Sequence, residues 1–174
     1  MRGCIHIYTG DGKGKTTTAT GLSIRFAGNG GKVLFTQFLK DGSSSEIGVL
    51  KTITGITVES CTRSFGFSFL MNEEEKKEAA AYYSEHLQKI LKQAVENGYG
   101  MLVLDEVIGA YNIPFIDRGV LLAFLKQKPE ELEVVMTGRE PAEELLELAD
   151  YVSEIKKIKH PFDKGIPARD GIEQ

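Results

Sequence analysis

The residues best suited to chemistry stand together near the N-terminus, in Thr9-Gly10-Asp11-Gly12-Lys13-Gly14-Lys15-Thr16-Thr17. Glycines in such a run let consecutive backbone N–H groups turn toward the oxygens of one anion. A helix opening directly behind the loop adds the positive end of its dipole. Lys15 can then reach bridging or terminal phosphate oxygens, and the Thr16 hydroxyl can serve a Mg²⁺ ion. The run departs from the usual phosphate-loop pattern at one place, because the first glycine of that pattern falls on Thr9 and glycine follows at position 10. Gly10, Asp11, Gly12, Lys13, Gly14, Lys15, Thr16 and Thr17 are the expected phosphate contacts.

A second group of chemical interest is Asp105-Glu106, two carboxylates that close the apolar run Met101–Leu104. In an open α/β sheet, ligands sit at the carboxyl ends of the strands. Both acids should therefore face the glycine-rich loop, where carboxylates hold Mg²⁺ directly or through water. Arg139, in Met136-Thr137-Gly138-Arg139, is expected on the same rim, as a bidentate phosphate contact or as a surface arginine. Arg25, late in the first helix, is a further candidate contact, with ordinary helix surface as the alternative. Thr62–Met71 carries Phe65, Phe67, Phe69, Leu70 and Met71 in a loop. These either plug the core or form an apolar wall for a large flat ligand. His160 reads as tail packing rather than as an axial metal ligand.

These groups need a scaffold, and the hydrophobic pattern supplies one. Strands are expected at Cys4–Thr9, Val33–Phe38, Ile56–Ser60, Met101–Leu104 and Val134–Thr137, with an edge strand in Tyr151–Ile158. Helices are expected at Lys15–Ala27, Glu46–Lys51, Glu73–Glu96, Asp117–Lys126 and Pro141–Leu148. Asn72 is the expected N-cap of the long helix, ahead of three glutamates. Such alternation means a mostly parallel sheet of about five or six strands with helices on both faces.

Composition narrows the function. The chain has 174 residues, 41% hydrophobic and 26% charged, which suits one globular α/β domain over residues 1–174 and excludes bulk disorder. The net charge of −4 argues against a nucleic-acid or acidic-membrane surface. The longest apolar runs fall far short of a membrane span. No signal-peptide pattern opens the chain, so a cytoplasmic location is expected. Cys4 and Cys61 are the two cysteines, far apart and without CxxC spacing, so they cannot build a four-thiolate zinc site and read as reduced thiols. Glycine is the compositional outlier, with 19 residues.

Taken in order along the chain, these motifs resemble the P-loop-type ATP:corrinoid adenosyltransferases. The resemblance runs through the loop from Thr9 to Thr17, Leu104-Asp105-Glu106, Thr137-Gly138-Arg139, Glu147–Ile155, Lys159-His160-Pro161-Phe162-Asp163 and Gly171-Ile172-Glu173. It implies a P-loop NTPase-like, RecA-like fold. It also implies transfer of the 5′-deoxyadenosyl group of ATP to a Co(I) corrinoid, with intact triphosphate leaving. ATP would lie reversed in the loop, with Lys15 and the N–H groups of Gly12–Lys15 stabilising charge that grows at the α-phosphate. Thr16, Glu106 and Asp105 would hold Mg²⁺ or Mn²⁺. The catalytic set would be Lys15 with Phe67 and Phe69, the aromatics helping to remove the lower axial ligand of cobalt. Here the chain departs from the family, with Gly66-Phe67-Ser68-Phe69 where members usually carry Gly-Phe-Thr-Trp.

The resemblance further implies a homodimer and an electron-donating flavoprotein partner. Many members carry a basic N-terminal segment that folds over the site. This chain begins almost at its first strand, so the lid is expected to be missing or to come from another part of the molecule. Two other readings compete: a nucleoside kinase of thymidine-kinase type, and a nucleotide switch of non-catalytic or motor type.

Overall fold

A computed structural model describes residues 2–63, 65–66 and 68–173. Its centre is a six-stranded sheet in the order β3-β2-β4-β5-β1-β6. The strands are β1 (Ile5–Thr9), β2 (Val33–Gln37), β3 (Ile56–Val58), β4 (Met101–Asp105), β5 (Glu133–Thr137) and β6 (Tyr151–Glu154). Every pairing is parallel, so the sheet is wholly rather than mostly parallel. All strand carboxyl ends therefore meet on one rim, the place where such sheets bind ligands.

Side chains alternate between two cores, as the two-residue period of a strand requires. Leu34, Leu102, Leu104, Val134 and Met136 face one core, together with Ile5 and Ile7. Val33, Phe35, Met101, Val103 and Val135 face the other. The first core is closed by α3 (Glu73–Glu96), α4 (Val107–Asn112), α5 (Arg118–Gln127) and α6 (Glu143–Leu148). The second is closed by α1 (Lys15–Gly28) and α2 (Ser45–Leu50). Burial on both faces explains why β2 and β4 read as unbroken apolar runs.

Local chemistry sets several element ends. Asn72 caps α3, accepting from the N–H groups of Glu74 and Glu75, while the Glu75 side chain returns a bond to the Asn72 N–H. Asp117 caps α5 by accepting from the N–H of Val120. The buried face of α1 is Lys15, Ala19, Ser23 and Ala27, one residue per turn, whereas Ile24 is exposed. Small side chains on that face let the helix lie close to the sheet.

Several elements differ from the sequence expectation, among them β3, which ends at Val58 rather than Ser60. Residues Val107–Asn112 form α4, which the sequence pattern conceals because four of its six residues are buried, leaving no amphipathic stripe. The helix expected from Pro141 begins at Glu143, with Ala142 as its cap, so the proline precedes the helix. The last strand stops at Glu154 because its partner β1 stops at Thr9. Beyond that point the chain turns to other partners. Among the described residues no helix is long and apolar enough to cross a membrane.

Candidate functional site

The loop between β1 and α1 rests on the chain leaving β6. The Ile155 N–H donates to the Thr9 carbonyl at 2.8 Å, and the Gly12 N–H donates to the Ile155 carbonyl at 2.8 Å. A Cβ at position 12 would stand 2.6 Å from that carbonyl oxygen, so the close approach requires glycine. Asp11 joins the same docking, its carboxylate accepting from the Lys157 N–H at 2.9 Å. That bond holds the Asp11 carboxyl below the usual carboxylate range. Gly10, Asp11 and Gly12 thus shape and anchor the loop. The Gly12 N–H, expected to face phosphate, already has a partner.

The donors left for an anion lie further along. Gly14, with a φ of 126° that disfavours any side chain, turns the chain into α1. The N–H groups of Lys13, Gly14, Lys15, Thr16 and Thr17 meet no acceptor among the described residues. They open on a cleft of about 280 Å³ walled by residues 11–17, Glu106 and Arg139, and on its far side by His160, Phe162, Ile166 and Ile172 of the tail. The Lys15 ammonium is 2.8 Å from the Gly10 carbonyl oxygen and 3.0 Å from that of Gly12, so it is held inside the loop. Burial lowers its pKa from the usual lysine value, and Arg139 adds to this, while Glu106, Asp11 and Asp105 oppose it.

The acidic pair divides into two roles. Asp105 is fully buried at the end of β4. Its carboxylate accepts from the Thr16 hydroxyl at 2.9 Å, the Thr137 hydroxyl at 2.7 Å, the Gln37 amide at 3.0 Å and the Lys40 ammonium at 3.2 Å. Glu106 follows with a left-handed backbone, φ 59°, costly for a residue that is not glycine. Its N–H donates to the Thr137 hydroxyl oxygen, and its carboxylate joins the cleft wall. Burial raises the Glu106 carboxyl above the usual range, with Asp105 adding to the shift and Lys40, Lys15 and Arg139 opposing it. Thr16 and Glu106 both line the cleft, and Asp105 lies behind Thr16; all three offer oxygen, the donor type that Mg²⁺ or Mn²⁺ prefers.

Arg139 reaches the cleft because Gly138 lets β5 turn against α4. A Cβ there would stand 2.6 Å from the Ile108 side chain. Arg25 does not reach the cleft. It is exposed in the last turn of α1, about 15 Å along the helix from Lys15 at roughly 1.5 Å per residue. The described part of the aromatic segment packs on α3. Phe65 packs on Tyr82 and Tyr83 of α3, whereas Phe69 is 78% exposed on a single turn at Ser68–Leu70. Phe67 lies outside the described residues.

Sequence reasoning missed Gln37, Lys40, Thr137 and the Ile155 backbone. The first three follow from the rule that strand carboxyl ends carry the site. The Ile155 carbonyl has no sequence signal, because any residue supplies one.

The fold resembles the solved cytoplasmic domain of EssC, with a TM-score of 0.52 and 16% identity, over 96% of this chain and 34% of that one; this likeness concerns the fold alone. Curated relatives are closer in sequence. The chain is 33% identical over 173 residues to a corrinoid adenosyltransferase of Escherichia coli (strain K12), covering 99% of this chain and 86% of that protein. It is 34% identical over 174 residues to one from Sinorhizobium sp, covering 99% and 80%. Against corrinoid adenosyltransferase CobA of Salmonella typhimurium the identity is 32%, covering 99% and 86%. The family model described as ATP:corrinoid adenosyltransferase BtuR/CobO/CobP matches residues 1–174, and the chain belongs to that family.

Proposed function

We propose that this protein is a transferase that moves the 5′-deoxyadenosyl group of ATP to the Co(I) centre of a reduced corrinoid and releases triphosphate. The observation that carries this reading is the family match across residues 1–174, with relatives aligned over nearly the whole chain. A nucleoside kinase is not favoured by these relatives.

The electron pair of Co(I) attacks the ribose C5′. The C5′–O bond breaks, and its pair stays on the α-phosphate oxygen. Catalysis therefore needs positive groups and N–H donors where that charge grows. Lys15 and the unpaired N–H groups of residues 13–17 supply them without rearranging, since the loop is already anchored on Ile155. Arg139 adds a cation in the cleft wall. No general base is needed, because the nucleophile has no proton to lose. Thr16, Asp105 and Glu106 would hold Mg²⁺ or Mn²⁺, which supplies charge neutralisation for the triphosphate. The exposed Phe69 and its neighbour Phe67 would offer the apolar wall that denies cobalt its lower ligand. The reading extends to one domain over residues 1–174, a homodimer, a flavoprotein electron donor and a cytoplasmic location.

The test is product analysis with prereduced corrinoid and MgATP. Inorganic triphosphate and a cobalt–carbon absorption are expected in equal amounts. ADP formed with a nucleoside acceptor, and no cobalt–carbon bond, sinks the reading.

A further inference from the structure

Lys40 lies outside the expected contacts, on the turn after β2. The Phe38 N–H donates to the Asp105 carbonyl at 2.8 Å, tying the end of β2 to β4. Leu39 then takes a left-handed backbone, φ 58°, which brings Lys40 back over the end of β4. Its ammonium comes to rest 3.2 Å from the Asp105 carboxylate. The other donors to that carboxylate are neutral: two hydroxyls and an amide. A buried carboxylate held only by neutral donors is costly, so the counter-charge matters. Lys40 is the one cation bonded to it among the described residues.

The Lys40 side chain is nevertheless 31% exposed, where Asp105 is wholly buried. It lines a second cleft of about 820 Å³, next to Thr16, Thr17, Ser43 and Glu46. Lys40 therefore has an open path away from Asp105, into a polar cleft that shares Thr16 and Thr17 with the first. Gln37 helps to hold the same carboxylate in place. Its amide nitrogen donates to Asp105 and to Glu46, each at 3.0 Å, which fixes the orientation of the amide because a flip would set its oxygen against two carboxylates. The Gln37 Oε1 is buried and meets no donor among the described residues.

We infer that Lys40 is a stand-in cation. It neutralises Asp105 while no divalent ion is bound. A divalent ion arriving at Thr16, Asp105 and Glu106 displaces it into the cleft, where it pairs with the triphosphate. This rests on the reading of those three residues as the cation site. Lys40 then acts as a positioning residue that links metal binding to triphosphate binding.

The test is Mn²⁺ titration of the full chain, followed by electron paramagnetic resonance, without nucleotide and with inorganic triphosphate. Lys40→Met keeps the apolar stem and removes the charge. It should bind Mn²⁺ several-fold more tightly than wild type without nucleotide, and the Mn²⁺-loaded variant should bind triphosphate several-fold more weakly. Mn²⁺ binding that is unchanged or weaker overturns the proposal. In case the variant does not fold, the wild-type protein gives the same answer. Amine acylation at Lys40, read by mass spectrometry, should rise several-fold when Mn²⁺ is added without nucleotide, and unchanged acylation overturns the proposal. Glu106→Gln separates the two layers. If it leaves Mn²⁺ binding with triphosphate at the wild-type level, the cation-site reading fails and the stand-in role falls with it. If it weakens that binding while Lys40→Met leaves Mn²⁺ affinity unchanged, the stand-in role alone fails.

Discussion

The amide of Gly12 donates to the carbonyl of Ile155 at 2.8 Å, across 143 positions of sequence. The candidate phosphate loop is thereby shaped by the exit of the edge strand as well as by its own glycines. An anchored loop does not have to reorganise when charge develops, which is the condition for strong electrostatic stabilisation.

Gly12→Ala tests that anchoring. The added Cβ would meet the Ile155 carbonyl oxygen at 2.6 Å and the Lys156 carbonyl carbon at 2.9 Å. Both are backbone atoms, so loop and strand exit must part. A loss of about 1–3 kcal/mol is expected, as for other overpacked sites. Urea unfolding measures it, and ATP affinity should fall in the same variant. Wild-type stability would show that the two segments move apart freely.

Lys15→Ala removes the cation held 2.8 Å and 3.0 Å from the loop carbonyls. Turnover from prereduced Co(I) corrinoid should fall on the order of 10²-fold or more, the scale for losing one preorganised stabilising group. Triphosphate release under saturating ATP is the readout. Near-normal turnover would remove Lys15 from the reaction.

Phe69→Ala and Phe67→Ala address the aromatic segment. Phe69 is 78% exposed, so its truncation should change stability by no more than about 0.5 kcal/mol. Both variants should lose more activity when the reaction starts from Co(II) with a reductase than from prereduced Co(I). Equal losses from the two starting points would assign these side chains to packing.

His86 gives a pH dependence. Its ring stands 2.7 Å from the Thr36 hydroxyl and edge-on to Phe38 at 5.5 Å. Burial pushes its pKa down to about 4, with Lys89 adding to the shift and Glu59 opposing it. The unfolded chain keeps the ordinary value near 6.5, so it takes up the proton first as pH falls. The contribution of neutral His86 is complete above about pH 6.5 and is lost on the way down toward pH 4. Between pH 7.5 and 4.5 it amounts to about 2–3 kcal/mol. His86→Gln should remove that much of the pH dependence of the urea midpoint. An identical pH slope in both proteins would show that His86 takes up its proton at the same pH in the folded and the unfolded chain.

Much of the scaffold is written locally. Strand and helix types follow from periods of two and 3.6 residues, and helix starts follow from residues such as Asn72 and Asp117 whose side chains cap their own neighbours. The glycine-rich loop and Asp105-Glu106 are legible for the same reason, since their chemistry lies in adjacent residues. α4 escaped because burial nearly all round erases periodicity.

Tertiary structure alone decided how the loop residues share their work. Gly12 spends its N–H on Ile155, Asp11 spends its carboxylate on Lys157, and Arg25 sits at the wrong end of its helix. It also decided that Asp105 is a buried hub for Thr16, Gln37, Lys40 and Thr137, which stand on or beside three different elements. Sequence carries the identity of each donor and acceptor. Which ones pair depends on strand order and on where each backbone runs out of partners, and those are properties of the assembled sheet.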